Sequence, residues 1–424
     1  MSREIAHLAA KRELWPNFDP LSVPVAYYDG RNTYLFRYPV VPEGFTEVNA
    51  CGYPALLFDG RHPAVVANST IDLDGTPVAS LLTDAAIPRQ TPVDLASMAI
   101  HEAFHVFQSR HHPTWAPDIR TLFLYPMTES ALLQLRRIET ESLRRALSTD
   151  DRQEKSSWTR RALEARKDRF SMMDAGFSSY ERQEELLEGL AAYVEALSVG
   201  RTNVDLPENG FPADDVRGRA YKIGHALAVL LDTFAPDWKG NLEIDDSQSL
   251  DLYLARALDD AAGSGATVEF TRSEMDDFEA GAEYDTTTVR ERRVRQREAF
   301  ESRTANSLTV IAPVKRPLRV TGMDPSNVTI VDGGVLHTRY IALAGSSGRF
   351  EMMYSTGDGV SALTEAAGSH PTSSGIRRLQ VVGYDKLDTR TDKTTVEVSG
   401  NGLSARFDNA TLEEHGSRFT VRVK

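Results

Sequence analysis

Two histidines and a glutamate in the segment HEAFH have the residue types and the spacing that metal-dependent hydrolysis requires. His101 and His105 are four residues apart, so on a helix they lie one turn above each other and present two imidazole nitrogens to one metal ion. Glu102 projects beside that position, where it can take a proton from the attacking water. Zinc suits such a site, because it lowers the pKa of water and polarises a carbonyl group. The segment therefore predicts a zinc site with Glu102 as the general base.

The residues around this motif indicate a buried helix. Thr91 is a suitable cap and Pro92 a suitable first-turn residue. The expected helix is apolar on nearly every side, through Leu95, Met98, Ala99, Ile100, Ala103, Phe104, Val106 and Phe107. Two imidazoles and a carboxylate buried without partners would be costly, whereas one metal ion satisfies both imidazoles. The alternative is a pair of core histidines that bond to backbone carbonyls or to a carboxylate.

A catalytic zinc site needs a third protein ligand, and the nearest candidate is His111. Its distance from His105 matches the metzincin pattern H-E-x-x-H-x-x-G-x-x-H, in which a glycine lets the chain leave the helix and bring the third histidine back. Gln108, a good helix former, stands at that glycine position here. If the helix continues, His111 points away from the metal, and Pro113 places the helix end near His112. Both histidines are therefore expected at the helix end.

A second candidate for the third ligand lies far downstream, in a predicted helix over residues 178–199. On that helix Glu188 lies among the small residues Gly189, Ala191 and Ala192, which leave room for another helix with its histidines and a metal ion. The alternative is a surface glutamate of an amphipathic helix. We expect Glu188 to be the ligand in preference to the nearer histidine. The nearest substitutes for this role are Glu184, Glu185 and Glu195.

Together, the segments HEAFH and EGLAAY resemble the zincin metallopeptidases of the gluzincin type, in which a glutamate on a later helix is the third zinc ligand. The resemblance makes His101, His105 and Glu188 the ligands and Glu102 the base. It implies a twisted sheet over the active-site helix, followed by a mostly helical half. Ala192 stands where thermolysin-like enzymes carry an aspartate that orients a histidine ligand, so that role is unassigned. The chain lacks the G-x-M-E-N stretch of the aminopeptidases, so aminopeptidase activity is not supported.

Two further residues are catalytic candidates, because they could stabilise the oxyanion of the transition state. Tyr221 and His225 lie four apart on one face of a predicted helix over residues 216–235, just after the Glu188 helix. A hydrogen-bonded core histidine is the alternative for His225. Residues 63–75 are expected to provide the exposed sheet edge with which a peptide substrate would pair.

The elements that must position these residues divide the chain into three parts. Short extended runs separated by Asp-Gly pairs predict a sheet-rich part over residues 1–90, and a helical part that carries the motifs follows over residues 91–305. Residues 306–424 return to strands and turns, as in a β-sandwich. The expected fold class is therefore α+β, a zincin-like domain followed by an all-β domain. The remaining predicted helices cover residues 128–147, 150–172, 247–261 and 271–305.

Composition limits the classes of partner and compartment. A formal net charge of −13 argues against nucleic-acid binding, which needs clustered Lys and Arg. Cys51 is the only cysteine, so neither an intrachain disulfide nor a thiolate zinc cluster can form. No window has the apolar stretch of a signal peptide or of a membrane helix. We therefore expect a cytoplasmic protein that does not bind membranes. Secretion by a route that needs no recognisable signal sequence stays open.

These observations together predict a zinc-dependent metallopeptidase that acts on a peptide or protein substrate. One alternative is a zincin-type site that cleaves another kind of bond. Another is a binding protein that keeps a structural or vestigial zinc site and uses the C-terminal β domain as its binding surface. Glu102 argues against the latter, because a purely structural site has no use for a general base. The sequence leaves the substrate and the oligomeric state open.

Overall fold

The computed structural model describes residues 1–82, 91–245, 247–260, 268–353 and 359–424. These residues form two compact units, one of Met1–Pro117 with Ser130–Ala282 and the other of Asp118–Glu129 with Glu283–Lys424. The first unit contains one sheet and most of the helices, and the second is mainly all-β. This arrangement confirms the mixed α+β class expected from the sequence. The three-part division after residues 90 and 305 stays a prediction.

The sheet of the first unit positions the motif helix. Its strands are β1 (Val25–Tyr28), β2 (Thr33–Phe36), β3 (Thr46–Ala50), β4 (Tyr53–Phe58), β5 (Ser69–Leu73) and β6 (Thr76–Leu82). Their order is β3-β4-β2-β1-β6-β5, and all pairs are antiparallel except β1 with β6. Asp74 and Gly75, both with positive φ, join β5 to β6 in a two-residue turn, a conformation that an Asp-Gly pair favours. Among the described strands, β5 lies at one edge of the sheet. It falls within residues 63–75, which were expected to provide an exposed sheet edge.

The helices that the sequence pattern predicts are present, with ends that differ by a few residues. In chain order the helices are α1 (Ser2–Ala9), α2 (Pro92–His111), α3 (Ser130–Ser148), α4 (Arg152–Ser171), α5 (Ala175–Glu184), α6 (Leu190–Ser198), α7 (Val216–Phe234), α8 (Trp238–Ile244), α9 (Leu250–Asp260) and α10 (Arg272–Glu301). The pattern does not predict α1 and α8, which are too short to show a clear period. Residue 261, the expected end of α9, lies outside the described residues. No helix in the described part of the chain is both long and apolar enough to span a membrane.

The motif helix α2 begins and ends where the sequence predicts. Thr91 accepts a hydrogen bond from the Asp94 N–H, and the Asp94 carboxylate accepts one from the Thr91 N–H, so a capping box fixes the first turn. At the other end the His112 N–H donates to the Gln108 carbonyl. Between these ends α2 is largely buried and packs against β6 and α6, with Phe104 fully covered. The sheet and the later helix therefore hold α2 from two sides.

The helix that carries Glu188 differs from the expected regular α-helix. Its residues Glu185–Gly189, between α5 and α6, form a π turn in which the Leu190 N–H donates to the Glu185 carbonyl, five residues back. Gly189 packs against α7, where a Cβ atom added to Gly189 would lie only 2.5 Å from the Gly224 Cα atom. The expectation that Gly189 makes room for the histidine helix is therefore wrong, because this glycine makes room for α7.

The second unit consists mainly of two sheets with a common apolar core. Its strands are β7 (Asn306–Ile311), β8 (Arg319–Met323), β9 (Val328–Val331), β10 (Gly334–His337), β11 (Tyr340–Gly345), β12 (Gly348–Met353), β13 (Ser361–Ala366), β14 (Ile376–Tyr384), β15 (Asp388–Asp392), β16 (Thr395–Gly400), β17 (Leu403–Phe407), β18 (Ala410–His415) and β19 (Arg418–Val423). The sheet orders are β18-β19-β7-β14-β13-β10-β9 and β15-β16-β17-β12-β11-β8. Leu308 and Leu379 of one sheet share a core with Phe350 and Phe407 of the other. The C-terminal region is thus all-β, as expected.

Candidate metal centre

Three side chains from two helices converge in the first unit, and we call them the metal centre: His101 and His105 of α2, and Glu188 of the π turn. The two Nε2 atoms lie 3.1 Å apart. Glu188 Oε2 lies 3.2 Å from His105 Nε2 and 3.7 Å from His101 Nε2. Ligands bound at about 2.0–2.2 Å to tetrahedral zinc are separated by about 3.3–3.6 Å. The donor atoms and their spacing therefore fit a metal ion of this kind.

A second glutamate of the same long helix orients the first histidine. Glu195 Oε2 lies 3.1 Å from His101 Nδ1. The carboxylate accepts this hydrogen bond, so Nδ1 of His101 carries a proton. The other ring nitrogen, Nε2, is the one that faces Glu188. Burial lowers the pKa of His101, but its bonds with Glu188 and Glu195 outweigh burial and raise the pKa to about 10. A proton therefore competes with a metal ion at this residue. Glu195, three residues after Ala192, thus provides a carboxylate contact to a histidine that Ala192 cannot make.

The second histidine is oriented by a residue that the sequence pattern suggested only as a helix former. Gln108 is fully buried, and its Oε1 atom lies 2.8 Å from His105 Nδ1. The amide oxygen accepts from the Nδ1–H, which leaves Nε2 of His105 free to face Glu188. Both histidines of the metal centre thus have a hydrogen-bond partner on Nδ1.

Glu102 lies beside the metal centre without joining it. The residue is only 7 % exposed, and among the described residues its carboxylate accepts no hydrogen bond. Burial raises the pKa of Glu102, and the charges of His101 and His105 offset only part of that rise. A buried carboxylate that no donor occupies is suited to accept a proton from a small molecule. The general-base role expected of Glu102 stays a prediction.

An arginine on α7 completes the surroundings of Glu188. Arg217 Nη2 donates to Glu188 Oε1 at 2.8 Å, and its Nε donates to Glu184 Oε1 at 3.1 Å. Burial raises the pKa of Glu188, but the imidazoles and this guanidinium outweigh burial and hold the pKa well below its usual range. Glu188 is therefore ionised, with one oxygen toward the arginine and the other toward the histidines. Sequence reasoning missed Arg217, because no local spacing links it to the motif.

The two expected oxyanion donors lie at different distances from the centre. The Tyr221 ring stacks on the His101 ring, with centroids 6.2 Å apart and planes at 13°. Burial and then the Glu188 charge raise the pKa of the Tyr221 phenol, so it stays protonated and can donate a hydrogen bond. His225 packs edge-on against Tyr193 instead, and burial lowers its pKa to about 4. The structure brings Tyr221, and not His225, into contact with a histidine of the centre.

His111 lies outside the metal centre. It is exposed, and its ring stacks on Phe107 with centroids 4.5 Å apart. His112 forms the C-cap of α2, and its Nε2 atom pairs with Glu243 at 2.9 Å. The two histidines therefore occupy the helix end, as expected from Pro113.

A second group of charges, most of them fully buried, includes Glu185 of the π turn, and we call it the buried ion-pair cluster. Its members join α3, α4, α5, the π turn, α7 and α9, and they comprise four guanidinium groups and four carboxylates: Arg166, Arg169, Arg182, Arg219, Glu139, Glu181, Glu185 and Asp251. Glu139 forms ion pairs with Arg166 and Arg169, each at 2.8 Å, and with Arg219 at 2.7 Å. The sequence pattern did not predict this cluster.

Comparisons with known proteins give no family for this chain. No protein-family model matches it, and the searches of curated proteins and of solved structures also find no match. The site must therefore be interpreted from its own geometry.

Proposed function

We propose that this chain is a zinc-dependent hydrolase, specifically a metallopeptidase, and that its first unit has a zincin-like fold of the gluzincin type. The observation that carries the proposal is the convergence of His101, His105 and Glu188, with Glu102 at the next position of the same helix. The order of the elements supports it, because a sheet, the motif helix and the Glu188 helix follow one another as the resemblance implies.

Zinc suits the donor set of two imidazole nitrogens and one carboxylate oxygen, a combination that catalytic zinc sites use with one position left open. When bound, zinc supplies a Lewis acid that polarises a carbonyl group and lowers the pKa of water. The local charges favour a divalent cation. Glu102, Glu188 and Glu195 are all buried or largely covered, and in the described part of the chain Arg217 is the one guanidinium that pairs with any of them.

Glu102 acts as the general base in the proposed reaction. Its carboxylate takes a proton from the attacking water and returns it to the departing amine. A raised pKa makes Glu102 a stronger base than an exposed glutamate, while the adjacent imidazoles limit the rise. Tyr221 then donates a hydrogen bond to the oxyanion, since its phenol is protonated and its ring lies on His101. The catalytic role expected of His225 stays a prediction.

The proposed substrate is a peptide or protein segment in an extended conformation. β5 is an edge strand among the described strands, and it lies against the motif helix α2. An edge strand offers unpaired backbone groups with which an extended peptide can pair. We propose that the substrate binds along β5 and so presents a carbonyl group to the metal centre. The cytoplasmic location expected from the sequence also stays a prediction.

Four variants test the proposal by metal analysis and by digestion of a peptide library. Glu102→Gln should keep zinc and abolish hydrolysis, because only the proton acceptor is lost. Glu188→Ala should lower the zinc content as much as His105→Ala does. His111→Ala is the matched control, and it should leave both zinc content and hydrolysis unchanged.

Three outcomes would contradict parts of this proposal. Hydrolysis retained by Glu102→Gln would rule out the assigned mechanism. Zinc lost from His111→Ala and kept by Glu188→Ala would favour the metzincin-like ligand set. Zinc bound by a wild-type chain that cleaves no peptide would favour a binding protein with a structural zinc site or an enzyme that cleaves another bond.

A further inference from the structure

The side chain of Gln108 makes three hydrogen bonds in the interior of the first unit. Its Oε1 atom lies 2.8 Å from His105 Nδ1, and its Nε2 atom donates to the carbonyls of Leu186 and Leu187, each at 2.9 Å. The residue is fully buried, so water does not compete for these bonds. One amide group therefore links α2 to the π turn.

The chemistry of the two carbonyls settles the orientation of this amide. A carbonyl oxygen only accepts, so the Gln108 atom that faces Leu186 and Leu187 must be the NH₂ group. The Oε1 atom then faces His105, and an amide oxygen can only accept a hydrogen bond there. The Nδ1 atom of His105 must consequently carry the proton. This tautomer leaves the Nε2 lone pair of His105 toward Glu188.

The two carbonyls belong to the π turn that carries Glu188. In this turn the Leu190 N–H reaches back five residues to the Glu185 carbonyl, which departs from the α-helical pattern. On another side the turn is packed against α7, where Gly189 and Gly224 approach too closely for a Cβ atom. The turn is thus fixed by backbone packing on one side and by the Gln108 amide on another.

We propose that Gln108 is a positioning residue that couples two ligands of the metal centre: its oxygen sets the tautomer of His105, and its NH₂ group holds the π turn that places Glu188. This inference rests on the proposed metal centre, but its second part, the support of the π turn, concerns the metal-free chain as well. Gln108 is fully buried and bonds to a ligand and to the π turn, so we assign it no direct part in the reaction. Its effect is on how well the ligands are arranged before the metal binds.

Two substitutions separate the two halves of the role. Gln108→Met keeps the length of the side chain and removes all three hydrogen bonds. Gln108→Glu keeps an acceptor for His105, but at pH 8 it places a carboxylate oxygen against two carbonyl oxygens. Gln183→Met is the matched control, because Gln183 also donates to a backbone carbonyl, that of Thr114, at 3.1 Å and outside the metal centre.

The first measurement is the zinc affinity of each full-length variant by competition with a chelator. Loss of a partner that orients a ligand typically weakens metal binding about 10- to 100-fold, and we expect both Gln108 variants to fall in this range. The second is amide hydrogen exchange across residues 185–192 of the metal-free chain. We expect exchange at least about tenfold faster in both Gln108 variants, because buried bonds to the turn are lost. Gln183→Met should match the wild type in both.

Wild-type zinc affinity in Gln108→Glu would overturn the proposal, because the NH₂ group would then have no part in placing Glu188. Unchanged exchange in both Gln108 variants would overturn it as well, because the π turn would not depend on the amide. If the wild-type chain itself binds no zinc, the proposed function fails, and the exchange measurement still decides whether Gln108 holds the turn. If Gln108→Met does not fold, the near-isosteric Gln108→Glu tests the proposal alone. Its zinc affinity and its amide hydrogen exchange then support or overturn the proposal.

Discussion

The metal centre and the buried ion-pair cluster lie in one unit and share one π turn, yet they balance buried charge differently. Glu185 and Glu188 are three residues apart in this turn; Glu185 pairs with Arg166 in the cluster, whereas Glu188 faces the two histidines. In the cluster four guanidinium groups match four carboxylates. Around the metal centre, Glu184 and Glu188 share one guanidinium, that of Arg217, and no arginine of the described residues forms an ion pair with Glu102 or Glu195.

This difference indicates which group of buried charges needs a ligand. A guanidinium group is always protonated and donates several hydrogen bonds, and each carboxylate of the cluster is paired with at least one of them. Around the metal centre the raised pKa of His101 leaves a proton as the cation between the imidazoles and the ionised Glu188, and a metal ion can take the place of that proton. We infer that the cluster stabilises the helices and that the metal centre is the part that a ligand completes.

The largest effect is expected from breaking the cluster. Arg169 is fully buried and pairs with Glu139 and Glu181, so Arg169→Met leaves the four carboxylates of the cluster with three guanidinium groups and one buried negative charge in excess. We expect the free energy of unfolding to fall by about 3–5 kcal/mol in urea denaturation of the metal-free chain. Arg161→Met, which removes a more exposed pair of the same helix, is the control and should cost less than about 1 kcal/mol. Similar losses in both variants would contradict a structural role for the cluster.

A comparable effect is expected from acid. Burial raises the pKa of Glu139, but three guanidinium groups, of which Arg219 contributes most, outweigh burial and lower the pKa from 4.5 to about 2. The unfolded chain therefore binds this proton more tightly than the folded chain. The stabilisation is complete above about pH 4.5 and is lost as the pH falls toward about 2, on the order of 3 kcal/mol for this group. Urea denaturation across this pH window measures it, and Glu139→Gln should show a shallower slope; an equal slope would contradict the prediction.

The next effect distinguishes the metal centre from the cluster. Zinc that binds only the folded chain stabilises it by about 2.7 kcal/mol at a free concentration 100 times Kd. We expect this gain in thermal or urea unfolding of the wild type and of Arg161→Met, whose metal centre is intact. Glu188→Ala should show no gain, because a ligand is lost. An equal gain in Glu188→Ala would show that zinc binds elsewhere.

The smallest effect concerns the close contact between Gly189 of the π turn and Gly224 of α7. Gly189→Ala puts a methyl group 2.5 Å from the Gly224 Cα atom, so the two helices must separate. We expect a loss of about 1–3 kcal/mol in unfolding free energy, together with weaker zinc binding because Glu188 is the preceding residue. Gly240→Ala is the control, since a Cβ atom there meets no atom within 4 Å and alanine favours the helix α8. The prediction fails if the two variants behave alike.

The sequence predicts the parts of the site that depend on local spacing. His101, Glu102 and His105 follow from one helical turn, and the small residues beside Glu188 identified the later helix. The partners of these residues depend on tertiary contacts between distant segments, so no local pattern shows them. Glu195 is the partial exception, because its distance of two helical turns from Glu188 places both on one face.

The buried ion-pair cluster escaped prediction for a different physical reason. Residues of α4 such as Arg166 and Arg169 occur in a highly charged segment, and a charged segment normally indicates a solvated helix face. Their burial depends on acidic partners from several other helices, which a single segment cannot reveal. The π turn was missed because five residues of altered winding barely disturb a helical period of 3.6.

The π turn also makes the metal centre sensitive to the length of the chain. A π turn corresponds to an α-helix with one residue inserted, and one residue of α-helix is a rotation of about 100°. Deletion of Leu187 would keep every ligand in the sequence, yet it would let the helix wind regularly and rotate Glu185 relative to Glu188. Either the cluster would then lose the carboxylate of Glu185, or the metal centre would lose that of Glu188. In an alignment, a single-residue gap in this helix would therefore mark a chain in which this site is arranged differently, even where both motifs are intact.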